Sequence, residues 1–159
     1  EKEKKKYLIK NSKVILIGFS QGTMMALHVG LQIKPELGCI IGFSGALIQT
    51  EGSDFNSISQ VPVFLAHGKS DNIVNFNETI KAFKKLSEIN NNVEHYIEDN
   101  LSHSIGNEGI VNAVSFINTC IKKKIYTIKF FYKNKRKNII SSLVMLDPSF
   151  FKWLHWFIK

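Results

Sequence analysis

Cysteine is scarce: the 159 residues hold two, Cys39 and Cys120, set 81 positions apart. That spacing fits neither a metal-ligand pattern nor a disulfide framework, so no metal site and a reducing compartment are expected. No run of about 18 apolar residues occurs, which excludes a membrane-spanning helix. The opening stretch EKEKKKYLIKN is charged and lacks the apolar core and small-residue cleavage site of a signal peptide. These absences predict a cytoplasmic chain. It starts at Glu1 without a methionine, as a piece of a longer sequence would.

Glycine is missing altogether from Lys122 onward, and so is acidity, apart from Asp147. Residues 1–121 carry 11 Lys+Arg against 12 Asp+Glu, a net charge of −1, whereas residues 122–159 carry 10 against one, a net of +9. All of the chain's basicity is therefore a tail, which also holds both tryptophans and nine of the 18 aromatics. A basic, aromatic segment can meet nucleic acid or an anionic membrane surface. The plainer reading, preferred here, is an irregular appended or out-of-frame extension outside the domain. On that reading its removal leaves solubility unchanged or improved.

What remains, residues 1–121, is 44% hydrophobic in the whole-chain average and long enough for one core. Short apolar runs alternate with helical patterns. Strands are predicted at Lys13–Gly18, Gly38–Phe43, Val61–His67 and Val93–Ile97. Helices are predicted at Gln21–Ile33, Phe76–Ile89 and Gly109–Cys120, with one long loop over Gly45–Gln60. Such alternation implies a parallel sheet with crossover helices. The first helix is apolar nearly all round, which predicts burial on most sides, with Met24 and Met25 as core filler.

The run Gly18-Phe19-Ser20-Gln21-Gly22 is a G-x-S-x-G motif, and by itself it would occur by chance in roughly one of twenty chains this long. Its setting adds weight, because a buried strand precedes it and a buried helix follows. Gly18 and Gly22 allow strand and helix to approach closely around a strained, positive-φ serine. Ser20 is then the candidate nucleophile, and the Gln21 amide at the helix start a candidate oxyanion donor.

A serine hydroxyl needs a histidine to take its proton and a carboxylate to fix that histidine's tautomer. Asp71 follows the third strand in AHGKSDNIV, and His103 follows the fourth in EDNLSHSI. The order Ser20, Asp71, His103 with each residue after a parallel strand is that of an α/β-hydrolase triad. Asp99 is a rival carboxylate at its own strand's end. His67 reads as structural, and Ser44 as a loop-lining residue.

These segments resemble the carboxylesterase/phospholipase family that includes the acyl-protein thioesterases. GFSQG with MMALHVGL resembles the family's nucleophile elbow and buried helix, IIGFSGAL its next strand, PVFLAHGKSDNIV its acid segment and SHSIGNEGI its histidine segment. The resemblance covers Lys13 to Ile121. It implies a partial α/β-hydrolase fold of about four parallel strands with flanking helices, with Ser20, Asp71 and His103 catalytic and Gln21 N–H in the oxyanion hole. It also implies hydrolysis of small acyl esters or thioesters without a cofactor. Thr23 departs from the family, standing where a small residue is frequent, and so does Asn75, in place of a proline.

In the family, an N-terminal half supplies further strands and an HGxG-like loop bearing the second oxyanion donor. Only about a dozen residues precede the nucleophile strand here. Two readings follow: a serine hydrolase, completed where necessary by a separate N-terminal fragment, or an inactive piece of a split or frameshifted hydrolase gene. Either way the nucleophile strand is expected to be an exposed apolar sheet edge.

Overall fold

The computed structural model describes residues 10–48, 58–90 and 92–120 in full, and residues 127–134 and 137–145 as backbone strands. Most of the long loop expected over Gly45–Gln60, namely residues 49–57, lies outside the described residues, as do parts of the tail.

Each predicted segment up to Cys120 forms the expected element. The strands are β1 (Val14–Phe19), β2 (Cys39–Phe43), β3 (Val63–Gly68) and β4 (Val93–Glu98). The helices are α1 (Gln21–Gly30), α2 (Asn77–Ser87) and α3 (Asn107–Cys120). β1 pairs parallel with β2, β2 with β3 and β3 with β4.

Alternating side chains of the strands feed two cores, one on each face of the sheet. Val14, Leu16, Ile40, Val63 and Leu65 face one side, where Ala26 and Leu27 of α1 and Ala82 and Leu86 of α2 cover them. Ile15, Ile17, Ile41, Phe43, Phe64 and Ala66 face the other, under Ala113, Phe116 and Ile117 of α3. Leu27 and Leu86 are fully buried. Burial of a side chain that size contributes about 1.5–3 kcal/mol each. The result is three layers, with helices on both faces of one sheet.

Two features differ from the expectation. Helix α1 buries one face only: Met25 and Val29, one turn apart, are exposed, and Met24 is half-buried. A helix lying on a sheet buries the stripe that looks at the sheet, however apolar its remaining faces are.

The second difference lies in the tail. Residues 127–134 form β5 and residues 137–145 form β6. The sheet order is β4-β3-β2-β1-β5-β6. β5 runs parallel to β1, from Val14 opposite Thr127 to Gly18 opposite Phe131, and β6 returns antiparallel to β5. β1 is thus an inner strand, where an exposed edge was expected. The sequence TIKFFYKN is rich in β-branched and aromatic residues, which suit a strand, and charge and the absence of glycine had masked that pattern.

Deleting residues 122–159 removes β5 and leaves the amide and carbonyl groups along one side of β1 unpaired. The expected outcome, opposite to that drawn from the sequence, is a truncated chain that elutes as larger species than the full chain in size-exclusion chromatography. A truncated chain as monodisperse and as stable as the parent would show that β5 is dispensable.

Candidate functional site

Ser20 sits between the end of β1 and the start of α1 with φ 54° and ψ −120°. Such a backbone costs on the order of 1–3 kcal/mol for a residue other than glycine and persists only when its surroundings over-determine it. Here they do. A Cβ on Gly18 would lie 2.3 Å from the Gly22 carbonyl oxygen, so strand and helix cross too closely for any side chain there. The Ser20 amide donates to Phe43 O at the end of β2 (2.9 Å).

Thr23 fixes the same junction. Its hydroxyl donates to Phe43 O at 2.7 Å and accepts from Phe43 N at 2.9 Å, with the side chain buried. The departure at Thr23 is therefore a tie between the first turn of α1 and the end of β2. The amides of Thr23 and Met24 reach back to Ser20 O. The Gln21 amide, at the first position of the helix, has no intrahelical carbonyl within reach.

Asp71 lies three residues beyond β3 with its side chain fully buried. Oδ1 accepts from the amides of Ile73 and Val74, both at 2.9 Å. Oδ2 accepts from His103 Nδ1 at 2.7 Å and from His67 Nε2 at 3.1 Å. Burial by itself would push the Asp71 carboxyl up. The hydrogen bond from His103 and those from the Val74 and Ile73 amides outweigh it and hold the group below its usual value.

His103 presents Nδ1 to the carboxylate, which fixes the tautomer and leaves Nε2 as a proton acceptor. Its side chain is 19% exposed, above the wholly buried Asp71. The ring packs on Phe19 with centroids 4.9 Å apart, beside Ser20. Among the described residues no hydrogen bond joins Ser20 to His103.

His67 is the residue the sequence under-read. It is fully buried on β3, and Nε2 faces two acceptors, Asp71 Oδ2 and Val74 O at 2.9 Å. Nε2 must therefore carry a hydrogen, and Nδ1 accepts from the Thr79 hydroxyl at 2.8 Å. The signal lay in the four-residue spacing of HGKSD, which lets a strand-end histidine meet a carboxylate across a tight loop.

The acid and histidine loops are stitched together through backbone. Lys69 N donates to Glu98 O and Ser70 N to Leu101 O. A Cβ on Gly68 would lie 2.3 Å from Leu101 O, so this approach too requires glycine. Ser44, buried with φ 47°, donates its hydroxyl to Ser104 O at 3.2 Å and its amide to Ala66 O. Asp99, the rival carboxylate, points outward, exposed and paired with Lys69 at 2.8 Å. Among the described residues no three His, Cys, Asp or Glu side chains converge as a metal ion would require.

Two stability predictions follow from these contacts. Thr23→Val keeps the shape and removes both bonds to Phe43; about 1–3 kcal/mol of stability should be lost in urea unfolding. The lowered Asp71 value means its contribution is present above the ordinary carboxylate range and is lost as pH falls through the folded-state value. Urea midpoints of the wild-type chain should therefore decline below about pH 4, and Asp71→Asn should flatten that decline. An unchanged acid limb in the variant would count against this account of Asp71.

A profile of the phospholipase/carboxylesterase family matches residues 2–121. The chain is 32% identical to acyl-protein thioesterase 1 of Yarrowia lipolytica over 122 residues, covering 70% of this chain and 52% of that protein. It is 33% identical to acyl-protein thioesterase 1 of Aspergillus fumigatus over 120 residues, covering 71% and 49%. Among solved structures it is similar to esterase PE8, with TM-score 0.71, 31% identity and coverage of 76% of this chain and 56% of that one. The Bacillus cereus carboxylesterase shares the fold at TM-score 0.66 and 19% identity, covering 76% and 56%. The chain spans about half the length of the curated relatives it matches. On the strength of the profile match over most of its residues, the chain belongs to the phospholipase/carboxylesterase family.

Proposed function

We propose that Ser20, Asp71 and His103 are the triad of a serine hydrolase that cleaves carboxylic esters or thioesters through an acyl-enzyme. The observation that carries the proposal is the 2.7 Å bond between His103 Nδ1 and buried Asp71, next to the positive-φ elbow at Ser20. Ser20 Oγ attacks the acyl carbonyl carbon while His103 Nε2 takes its proton. Asp71 remains ionised and stabilises the imidazolium so formed. Collapse of the tetrahedral intermediate expels the alcohol or thiol, which takes the proton from His103. Water, activated by the same nitrogen, then releases the acid.

The oxyanion of each intermediate lies toward the Gln21 N–H, the amide at the start of α1, where the helix dipole adds to the hydrogen bond. No step requires a cofactor. A thioester substrate, with a thiol as leaving group, draws support from the relatives, which carry the name acyl-protein thioesterase 1.

The HGxG-like loop that the resemblance assigns to the second oxyanion donor does not occur within the 159 residues. Loss of one donor costs about 10²- to 10³-fold in rate. The second reading is an inactive piece of a split or frameshifted hydrolase gene.

A fluorophosphonate probe separates the two. Intact-mass measurement should find one adduct on the folded chain, mapped to Ser20, and none on Ser20→Ala. A folded chain that takes no adduct defeats the active-enzyme reading and supports the inactive one.

A further inference from the structure

The fold sets a second histidine against the carboxylate on which the proposed chemistry depends. Alternation along β3 puts His67 on the face of Val63 and Leu65, under α2. The His67 and Asp71 side chains are both wholly buried, and Thr79, in the first turn of α2, is buried with them. His67 Nε2 donates to Asp71 Oδ2 at 3.1 Å and to Val74 O at 2.9 Å, while the Thr79 hydroxyl donates to Nδ1 at 2.8 Å. The Val74 amide in turn holds Asp71 Oδ1, so the loop from Asp71 to Val74 closes on the His67 ring from both ends. At Gly68, the next residue, the carbonyls of Leu101 and Ser102 stand where a side chain would be. The two residues before His103 are thereby seated on the strand end that carries His67.

We propose that His67 is a positioning residue, which holds Asp71 Oδ2 as the acceptor for His103 Nδ1 and keeps that oxygen from taking the Nδ1 proton. The proposal rests on the reading of Ser20, Asp71 and His103 as a triad. An ionised carboxylate offers about four acceptor sites. The amides of Ile73 and Val74 occupy Oδ1, and the rings of His103 and His67 occupy Oδ2. Without His67 the carboxylate is held on one side by two amides and on the other by His103 alone, the very group it has to orient. Only a hydrogen on Nε2 serves this purpose, and Thr79 secures it there, because a neutral ring whose Nδ1 accepts a hydrogen bond carries its proton on the other nitrogen.

In the proposed reaction the Ser20 proton passes to His103 Nε2, and the ring becomes a cation with its Nδ1 hydrogen on Oδ2. Both lone pairs of Oδ2 are then engaged, one by each ring. The Nδ1 proton stays on nitrogen, and the imidazolium and the carboxylate persist as a charge pair until the leaving group takes the Nε2 proton. His67 touches neither substrate nor reacting atoms. It acts on where Oδ2 stands, and through Oδ2 on where His103 Nε2 points. A displacement of about 1 Å at that nitrogen costs on the order of 10²-fold in rate.

The test reads the ring protons of the full chain, labelled with nitrogen-15 at histidine, by NMR. In the wild type the His67 Nε2 and His103 Nδ1 protons should both exchange slowly with water and show a nuclear Overhauser effect to each other, because both point at one oxygen. A His67 ring with its hydrogen on Nδ1, or no Overhauser effect between the two protons, would overturn the proposal whether or not any variant folds. His67→Leu keeps the bulk and removes the donor. In that variant the His103 proton should lose its protection, and fluorophosphonate labelling of Ser20 should slow about 10- to 100-fold. His67→Gln, whose side-chain N–H can stand near Nε2, should recover both. A folded His67→Leu chain that loses stability alone, with the His103 proton and the labelling rate as in the wild type, also overturns it. A wild-type chain that takes no adduct defeats the reading of Ser20 as nucleophile instead, and the ring protons then still decide whether His67 holds Asp71 for His103.

Discussion

The buried carboxylate of Asp71 is the constraint on which the arrangement of the site depends. An ionised group removed from water is expensive unless every lone pair finds a donor. Four donors converge on it: two backbone amides from its own loop, one ring nitrogen from β3 and one from the loop after β4. Burying this one charge therefore obliges three segments of chain to meet in one geometry. His67 and His103 share a single oxygen, so the position of one ring bears on the other. His67 is held in turn by Val74 O and Thr79, which extends the constraint into the first turn of α2.

From that point the order propagates along the rim of the sheet through backbone. Ser20 N bonds the end of β2, Ser44 N bonds β3, and Lys69 N bonds the end of β4. Each strand end is tied to its neighbour one step further across the sheet. Two of the linking residues, Ser20 and Ser44, hold positive φ; both are fixed by these bonds, and Ser20 also by the glycine-sized approach at Gly18. Strain at Ser20 is thereby supported by the sheet as a whole, since the Thr23 hydroxyl makes the helix, the elbow and β2 a single unit. The triad proposed above draws on three different strand ends and requires such coupling, because an error of an ångström between its members would cost orders of magnitude in rate.

Much of this was legible from residue order. Apolar runs marked β1 to β4 because strands buried on both faces need continuous hydrophobic sequence. The loops carrying Asp71 and His103 were legible because polar residues follow directly on those runs. What escaped depended on partners distant in sequence. Thr23 looked like a mild departure until Phe43, 20 residues on, supplied both ends of its hydrogen bonds. His67 read as a strand-end residue because its role depends on the conformation of the next seven residues. The exposed Met25 and Val29 escaped for the opposite reason: composition reports how apolar a helix is, and says nothing of which faces have a neighbour.

The strands from the tail separate two requirements that are easily merged. The open side of β1 needs hydrogen-bond partners, and a parallel ladder satisfies backbone groups whatever side chains the partner carries. β5 meets that need from Thr127 to Phe131, although it lies beyond the residues that match the family. An oxyanion hole makes the stricter demand of an N–H group about 3 Å from one point above Ser20. A strand can thus satisfy the edge of a sheet without supplying such a donor. The same reasoning sets the order of events for any complementing half: its strand would have to displace β5 from the edge of β1 before its amide could reach the substrate. Occupancy of that edge, more than the geometry of Ser20, Asp71 and His103, would then govern the chemistry proposed for them.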